Sequence, residues 1–489
     1  MHDEPLFILG VTPEDWAQTP ETVRVALLSV FDIMQAQGQQ LREFQQVIRD
    51  LQAKVGQTSQ NSSKPPSSDL PSAPAKPPRV PRGRKAGGQP GHEGHQRPLV
   101  PPERVDEAVE LRPEQCPHCQ AALAADLPTI GGPRRTQVWE LPVVQPHITE
   151  YRQHTCCCPG CRELVTAALP PDAPPGGFGP RATAWMAILR GRFRLSIDDT
   201  AECLTDLWNL PISAASIVTG CARTSDALAP VDAAIQAVVQ AAPHVNADET
   251  SWPTETRTGW LWVAVCAIAT CFRIHRSRSG PAMRHLLGEA YRGIVGSDRY
   301  LVYDQFSDQQ RQLCWAHLVR NLRGLLDAYA NETRWAQLLL DLTDDLFIAW
   351  HLYKGGWIDQ VALQQALIPI RIAMRTQLQD GVASPYPKIA GFSRELLAHW
   401  EALWTFSRVE GIEPTNNAAE QAVRHAVLWR KGSFGSRSES GCRFVERMLS
   451  VHATCRPQER SLVAFVTEAV QAAWAGTPPP VLVAPPASA

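Results

Sequence analysis

The chain has 489 residues, more than the roughly 150 of an ordinary domain, and its length predicts about three. With 44% hydrophobic and 20% charged residues it suits a globular protein with a sizeable core, not a fibrous or wholly disordered one. A formal net charge of −2 excludes a uniformly basic protein, so any nucleic-acid surface must be local.

Asp3 and Glu4 stand where a secretory leader would be basic, and no small-residue cleavage site follows an apolar stretch. The most apolar run, residues 260–272, is shorter than the ~20 residues of a membrane span and reads as buried strand. Thirteen cysteines, an odd number, do not make a disulfide framework, so a cytoplasmic, reducing home is expected, with no membrane partner.

Residues 23–55 carry a seven-residue apolar repeat. Leu27, Met34, Leu41, Ile48 and Val55 hold one seam position, and Val23, Val30, Gln37, Phe44 and Leu51 hold the other. Segment 1–58 is therefore helix, either an intermolecular coiled coil or an amphipathic helix packed internally. Residues 59–106 form a proline-rich linker. Its part 61–105 holds 11 prolines and eight Lys or Arg against three Asp or Glu, with Arg79, Arg82, Arg84 and Lys85 bunched as a candidate phosphate-neutralising arm.

Residues 107–175 contain two Cys-x-x-Cys knuckles, Cys116/Cys119 and Cys158/Cys161. Each has a turn residue between its thiols, the spacing of a structural zinc site. Cys156 and Cys157 adjoin the second knuckle as rival thiols, and alternation over residues 138–151 predicts a strand pair. Residues 176–240 read as a helical, helix-turn-helix-like DNA-binding domain or a plain bundle, with Arg223 as the one strong base-reading side chain of the later helix. From residue 241 to 465 the pattern is strand, strand, strand, helix, strand, then helices. This is an α/β mixed-sheet core with a helical insertion at about 320–405. Residues 466–489 end a helix and run into a disordered tail.

Three acids stand out in the core. Asp248 ends the first strand, Asp298 ends the strand after the crossover helix, and Glu420 opens a late helix. Sites gather at strand ends in open sheets, and converging carboxylates repel one another unless divalent cations lie between them. Mg²⁺ or Mn²⁺ would suit such hard donors. Capping offers a plainer reading, because Asn417 and Glu420 have capping-box spacing. Asp304, Glu249 and Glu413 are rival acids.

Taken together, "SSKPPSSD", the knuckles, "NADET", "SDRYLVYD", "CWAHLVRNL" and "NNAAEQAVRHAVLWRKGSFGS" resemble bacterial transposases of the insertion sequence 66 family over residues 20–460. The resemblance implies a ribonuclease-H-like catalytic core with an Asp-Asp-Glu triad at Asp248, Asp298 and Glu420. Where the family places arginine after the glutamate, this chain has Gln421. Cys314 and His317 belong to the "CWAH" hallmark, with His317 and Asn417 as candidate neighbours of the acids. Arg424, Arg430, Lys431 and Arg437 follow Glu420 and suit a DNA backbone.

The expectation is a metal-dependent transposase that binds terminal inverted repeats and target DNA, works as at least a dimer, and draws on accessory proteins of its element. The alternative is an inactive, zinc-containing DNA-binding regulator derived from one.

Overall fold

A computed structural model describes residues 12–55, 57–58, 61, 97–170, 173–255, 257–329 and 333–484. Arg79, Arg82, Arg84 and Lys85 therefore lie outside the described residues. The chain divides into two compact units, one comprising Met1–Pro74, Ile148–Thr205 and Pro211–Ala489, the other Ala75–His147 with Asp206–Leu210. No helix among the described residues is long and apolar enough to cross a membrane.

In chain order the first helices are α1 (Pro13–Gln18) and α2 (Glu21–Val55). Thr12 starts α1 as its N-cap, accepting from the Asp15 amide at 3.2 Å. The predicted repeat on α2 leaves Val23, Leu27, Val30, Met34, Leu41, Phe44 and Ile48 exposed. A small hairpin follows, β1 (Thr155–Cys157) against β2 (Leu164–Thr166). The strand pair expected at 138–151 does not form. Val138, Leu141, Val143 and Ile148 are exposed, so no buried face stabilises a ladder there.

Helices α3 (Pro180–Gly191), α4 (Ile197–Trp208) and α5 (Ala214–Ala241) come next. The expected helix-turn-helix unit is corrected here. Its second helix runs for 28 residues, with Leu228, Val231, Ile235 and Val239 buried in the core of the main sheet. A helix whose apolar stripe is consumed by the sheet is a core layer rather than a free reading head.

The sheet consists of β3 (His244–Thr254), β4 (Arg257–Val265), β5 (Thr270–His275), β6 (Ile294–Ser297) and β7 (Arg311–Leu313), with α6 (Gly280–Leu287) crossing over between β5 and β6. Its order is β5-β4-β3-β6-β7, antiparallel through β3 and parallel from β3 to β7. Strand β3 continues six residues beyond Asp248, so that acid sits within the strand and not at its end. Trp252, Leu261, Trp262, Val263 and Ala264 are fully buried, the continuous apolar pattern of strands covered on both faces.

The insertion is built from α7 (Trp315–Ala328), α8 (Thr333–Lys354), α9 (Gln360–Val382) and α10 (Pro387–Ala398), and has its own buried cluster around Trp315, Leu346, Leu363, Leu378 and Trp404. The chain then returns to the sheet through α11 (Asn417–Ser433), α12 (Glu439–Cys455) and α13 (Leu462–Ala475). The expected disordered tail is also corrected. Pro478, Pro479 and Pro480 prevent helix, yet Leu482 and Val483 turn back and bury in the main core, and Arg460 donates to the Val481 carbonyl.

Strand β5 is an edge strand whose outward amides need partners. α12 supplies them. Glu446 accepts from the Ile274 amide at 2.6 Å, Ser450 from Phe272 at 2.9 Å, and Thr454 from Thr270 at 3.1 Å. Two residues of strand rise about 6.6 Å and four of helix about 6 Å, so i, i+4, i+8 side chains match every second strand amide. Leaving such a buried amide unpaired costs about 1–3 kcal/mol. Ser450→Ala should lower stability by that amount in chemical denaturation without loss of helix by circular dichroism.

Candidate metal centre

The first two acids are brought together by strand register. Strands β3 and β6 pair in parallel with Asn246 opposite Gly296, and the same fifty-residue offset separates Asp248 from Asp298. Parallel neighbours lie roughly 4.8 Å apart, so side chains at one level on one face must meet. Asp298 follows β6 directly and accepts from the Tyr300 amide at 2.9 Å, and Asp248 accepts from the Glu249 amide at 2.9 Å.

Glu420 arrives from the first turn of α11. The capping-box reading is corrected at this point. The N-cap is Asn416, not Asn417, and it makes no side-chain cap; Asn417 is exposed. Asn416, 1% exposed, instead donates through Nδ2 to the Ala247 carbonyl at 2.8 Å, while its amide donates to the Cys314 sulfur at 3.1 Å. The residue before Asp248 is thereby tied to the start of the helix carrying Glu420. The buried Oδ1 of Asn416 has no partner among the described residues.

The "CWAH" segment occupies the same junction. Cys314 continues the ladder from β7, donating its amide to the Ser297 carbonyl, and occupies the N-cap position of α7 without a side-chain cap. His317 Nδ1 lies 3.3 Å from Glu420 Oε1 without hydrogen-bond geometry, and one turn later Arg320 donates to the same oxygen at 3.0 Å. Burial, aided by Arg320 and Arg299, pushes His317 down to about 3, so the ring is neutral. Cys314, His317 and Glu420 each offer a ligand atom within 4.8 Å of the others. Burial raises the Cys314 thiol to about 11, so it is a reluctant thiolate.

The acids act on one another. Burial raises Asp248 well above the usual carboxylate range, and Glu249, Asp298 and Glu420 add to the rise. Burial also raises Asp298, opposed by the Tyr300 amide and by Arg278, Arg299 and Arg311. Among the rival acids, Glu249 is pinned by Arg278 at 2.6 Å and by the Tyr303 hydroxyl at 2.8 Å. Asp304 pairs with Arg311 at 2.7 Å, and Glu413 with Lys354 at 3.0 Å. The acids that act on Asp248 are thus Glu249, then Asp298, then Glu420, while Asp304 and Glu413 are each neutralised elsewhere. Hard oxygens under mutual repulsion, beside an unpartnered buried amide oxygen, suit a small divalent cation.

Of the basic residues after Glu420, Arg424, Lys431 and Arg437 are exposed. Arg430 is committed inward, donating to Thr250 Oγ1 at 3.0 Å, Ser251 Oγ at 2.6 Å and the Ser251 carbonyl. The loop after it is also anchored, because the Ser436 amide donates to the Pro253 carbonyl at 3.0 Å. Gly435, at φ +95°, is required there, since a Cβ would strike that carbonyl. Phe434 stands out from the loop, 83% exposed.

The two cysteine knuckles have one local form. In each, the first cysteine's amide donates to a carbonyl five residues on, and the residue after the second cysteine, Gln120 or Arg162, takes a left-handed φ of about 60° and donates its amide back to the first. The amides of Cys119 and then His118 lower the Cys116 thiol, and those of Cys161 and then Gly160 lower Cys158. Cys156 and Cys157 lie on β1, outside the second knuckle's turn.

Asn416, Arg320 and the Glu249 clamp were missed in the sequence. A signal was available only for the first, as the leading residue of the Asn-Asn pair.

Comparison with known proteins gives two family matches. A model described as the transposase IS66 family matches residues 175–443, more than half of the chain, and a family of unknown function matches residues 19–98. The uncharacterized protein y4hP of Sinorhizobium fredii is 25% identical over 336 residues, which cover 61% of this chain and 60% of that relative.

Because the folded state disfavours a charged Asp248, its raised pKa gives stability that is full below the ordinary carboxylate range and lost as pH climbs through the raised value. In chelator, Asp248→Asn should therefore stabilise the protein at neutral pH, by about 1.4 kcal/mol per pKa unit relieved, and change nothing at acid pH. Denaturation midpoints across pH check this.

Proposed function

Because the chain belongs to the transposase IS66 family, we propose that it cuts and joins DNA strands at the ends of an insertion sequence through Asp248, Asp298 and Glu420. The observation that supports this reading is geometric: strand register brings Asp248 and Asp298 to one level, and Asn416 ties the start of α11, with Glu420 in its first turn, to the residue before Asp248. The strand order, three antiparallel strands extended by two parallel ones, supports a ribonuclease-H-like core.

Asp248 and Asp298 would hold Mg²⁺ or Mn²⁺ from rigid strands, with Glu420 as the third ligand. Such ions activate an attacking oxygen and stabilise the leaving one in an in-line displacement. The protein's own part is positional. Asn416 fixes α11 against β3, and Arg320 holds the Glu420 carboxylate on one side. No covalent enzyme intermediate is needed, only orientation and charge neutralisation.

Around this core Arg424, Lys431 and Arg437 would contact the DNA backbone, with Arg430 supporting the loop from within. The arm at Arg79, Arg82, Arg84 and Lys85 adds nonspecific affinity for DNA. The exposed apolar stripe of α2 supports pairing of two chains, which suits a reaction on two DNA ends. The knuckles at Cys116/Cys119 and at Cys158/Cys161 each have a form suited to thiolate ligands, which supports structural zinc.

Asp248→Asn should reduce Mg²⁺-dependent cleavage of element-end DNA by about 10³-fold or more, several kcal/mol at 1.36 per tenfold, while end binding persists. Unchanged cleavage would reject the assignment. Metal analysis of purified protein should find zinc, and Cys158→Ala should lose it; retention of full zinc would move the ligand set to other thiols.

A further inference from the structure

A second concentration of charge lies where the C-terminal ends of α3 and α12 meet the start of α13. A cavity of about 350 Å³ is lined there by Trp185, Ile188, Phe193 and Leu462 on its apolar side and by Arg192, Arg456 and Arg460 on its charged side. An adjoining cleft shares Arg192 and His452 with it and adds Arg194 and His425.

Helix C-termini favour cations, and Arg192 and Arg456 are the C-cap residues of α3 and α12. That effect explains one arginine at each end, not the density observed. Among the described residues no carboxylate pairs with Arg192, Arg194 or Arg456, whereas nearby Arg447 and Arg460 each have one, Asp226 at 3.5 Å and Glu468 at 3.9 Å. Burial lowers the Arg192 pKa, and Arg194 and Arg456 lower it further by repulsion. Arg194 also holds a left-handed φ of +67°, a conformation that disfavours non-glycine residues and is kept where surroundings demand it. Between the arginines the rings of His425 and His452 meet edge to face, with centroids 5.6 Å apart. Burial and Arg192 keep both rings neutral, so they offer hydrogen bonds without adding charge.

Uncompensated arginines, Arg192 and Arg194 half-buried and Arg456 exposed, around an apolar, aromatic cavity match the chemistry of single-stranded nucleic acid, in which phosphates meet cations and bases stack on aromatic rings. Exposed Arg424 precedes His425 on α11 and stands one helical turn beyond Glu420.

We propose that this groove takes an unpaired DNA strand, with its phosphates on Arg192, Arg194 and Arg456 and one base in the cavity beside Trp185 and Phe193. The proposal rests on the transposase reading above and adds a second contact site to it. An acidic polypeptide would satisfy the charge but would leave the aromatic cavity without a purpose.

The test is a salt titration of full-length protein with a fluorescein-labelled single-stranded oligodeoxynucleotide. Arg194→Ala and Arg456→Ala should each reduce the slope of log affinity against log salt by about 0.7, and together by about 1.4. Arg284→Ala, whose arginine pairs with Glu289 elsewhere, should leave the slope intact. Phe193→Ala should weaken binding about 5- to 150-fold at constant slope, the range expected for one stacked base. An unchanged slope in the double arginine variant would overturn the proposal. So would polyglutamate competing as well as the oligonucleotide, with Phe193→Ala having no effect. Asp248→Asn separates the two readings: if the groove behaves as stated but this variant cleaves element-end DNA as well as wild type, the catalytic reading fails and the groove stands.

Discussion

Parallel pairing of β3 with β6 forces two carboxylates to the same level on adjacent strands, and the rest of the site answers that repulsion. Each neighbouring group limits the charge in one direction. The Tyr300 amide and three arginines temper Asp298, Arg278 and Tyr303 hold Glu249 aside, and Arg320 engages Glu420. Asp248 is left as the acid with the least compensation and the most to gain from a cation.

Delivering the third acid is a problem of topology. Glu420 is separated from Asp298 by a helical insertion with its own hydrophobic cluster, so the chain leaves the sheet at β7 and must return accurately. Asn416 provides the return, bonded to β3 through its side chain and to Cys314 through its amide. At the opposite edge α12 covers β5 with Glu446, Ser450 and Thr454, which keeps that strand from pairing with another chain. The sheet is therefore fixed at its centre by the site and at its rim by a helix.

Much of this was legible from local pattern. The long N-terminal helix, the succession of strands and crossover helix, and the first-turn position of Glu420 follow from periodicity and punctuation. What escaped depends on partners distant in sequence. Arg320 reaches Glu420 across a hundred positions, and nothing local marks it apart from other helical arginines. The apparent capping box failed because the helix starts one residue earlier, with Asn416 as N-cap, and tertiary bonds claim the side chains of Asn416 and Glu420. The helix-turn-helix pattern misled because its spacing is shared by helices that cover a sheet, and the proline-rich tail misled because two apolar residues suffice to dock it.

The family places the chain among transposases, whose chemistry on DNA suits acids that hold divalent cations. All of this turns on whether the three carboxylates share cations. Diffraction from crystals soaked in Mn²⁺, read by anomalous scattering, tests it most directly. The account predicts peaks ligated by Asp248, Asp298 and Glu420, with Glu420 drawn toward the ions. Glu420 remaining on Arg320, with no peak between the two aspartates, would contradict it.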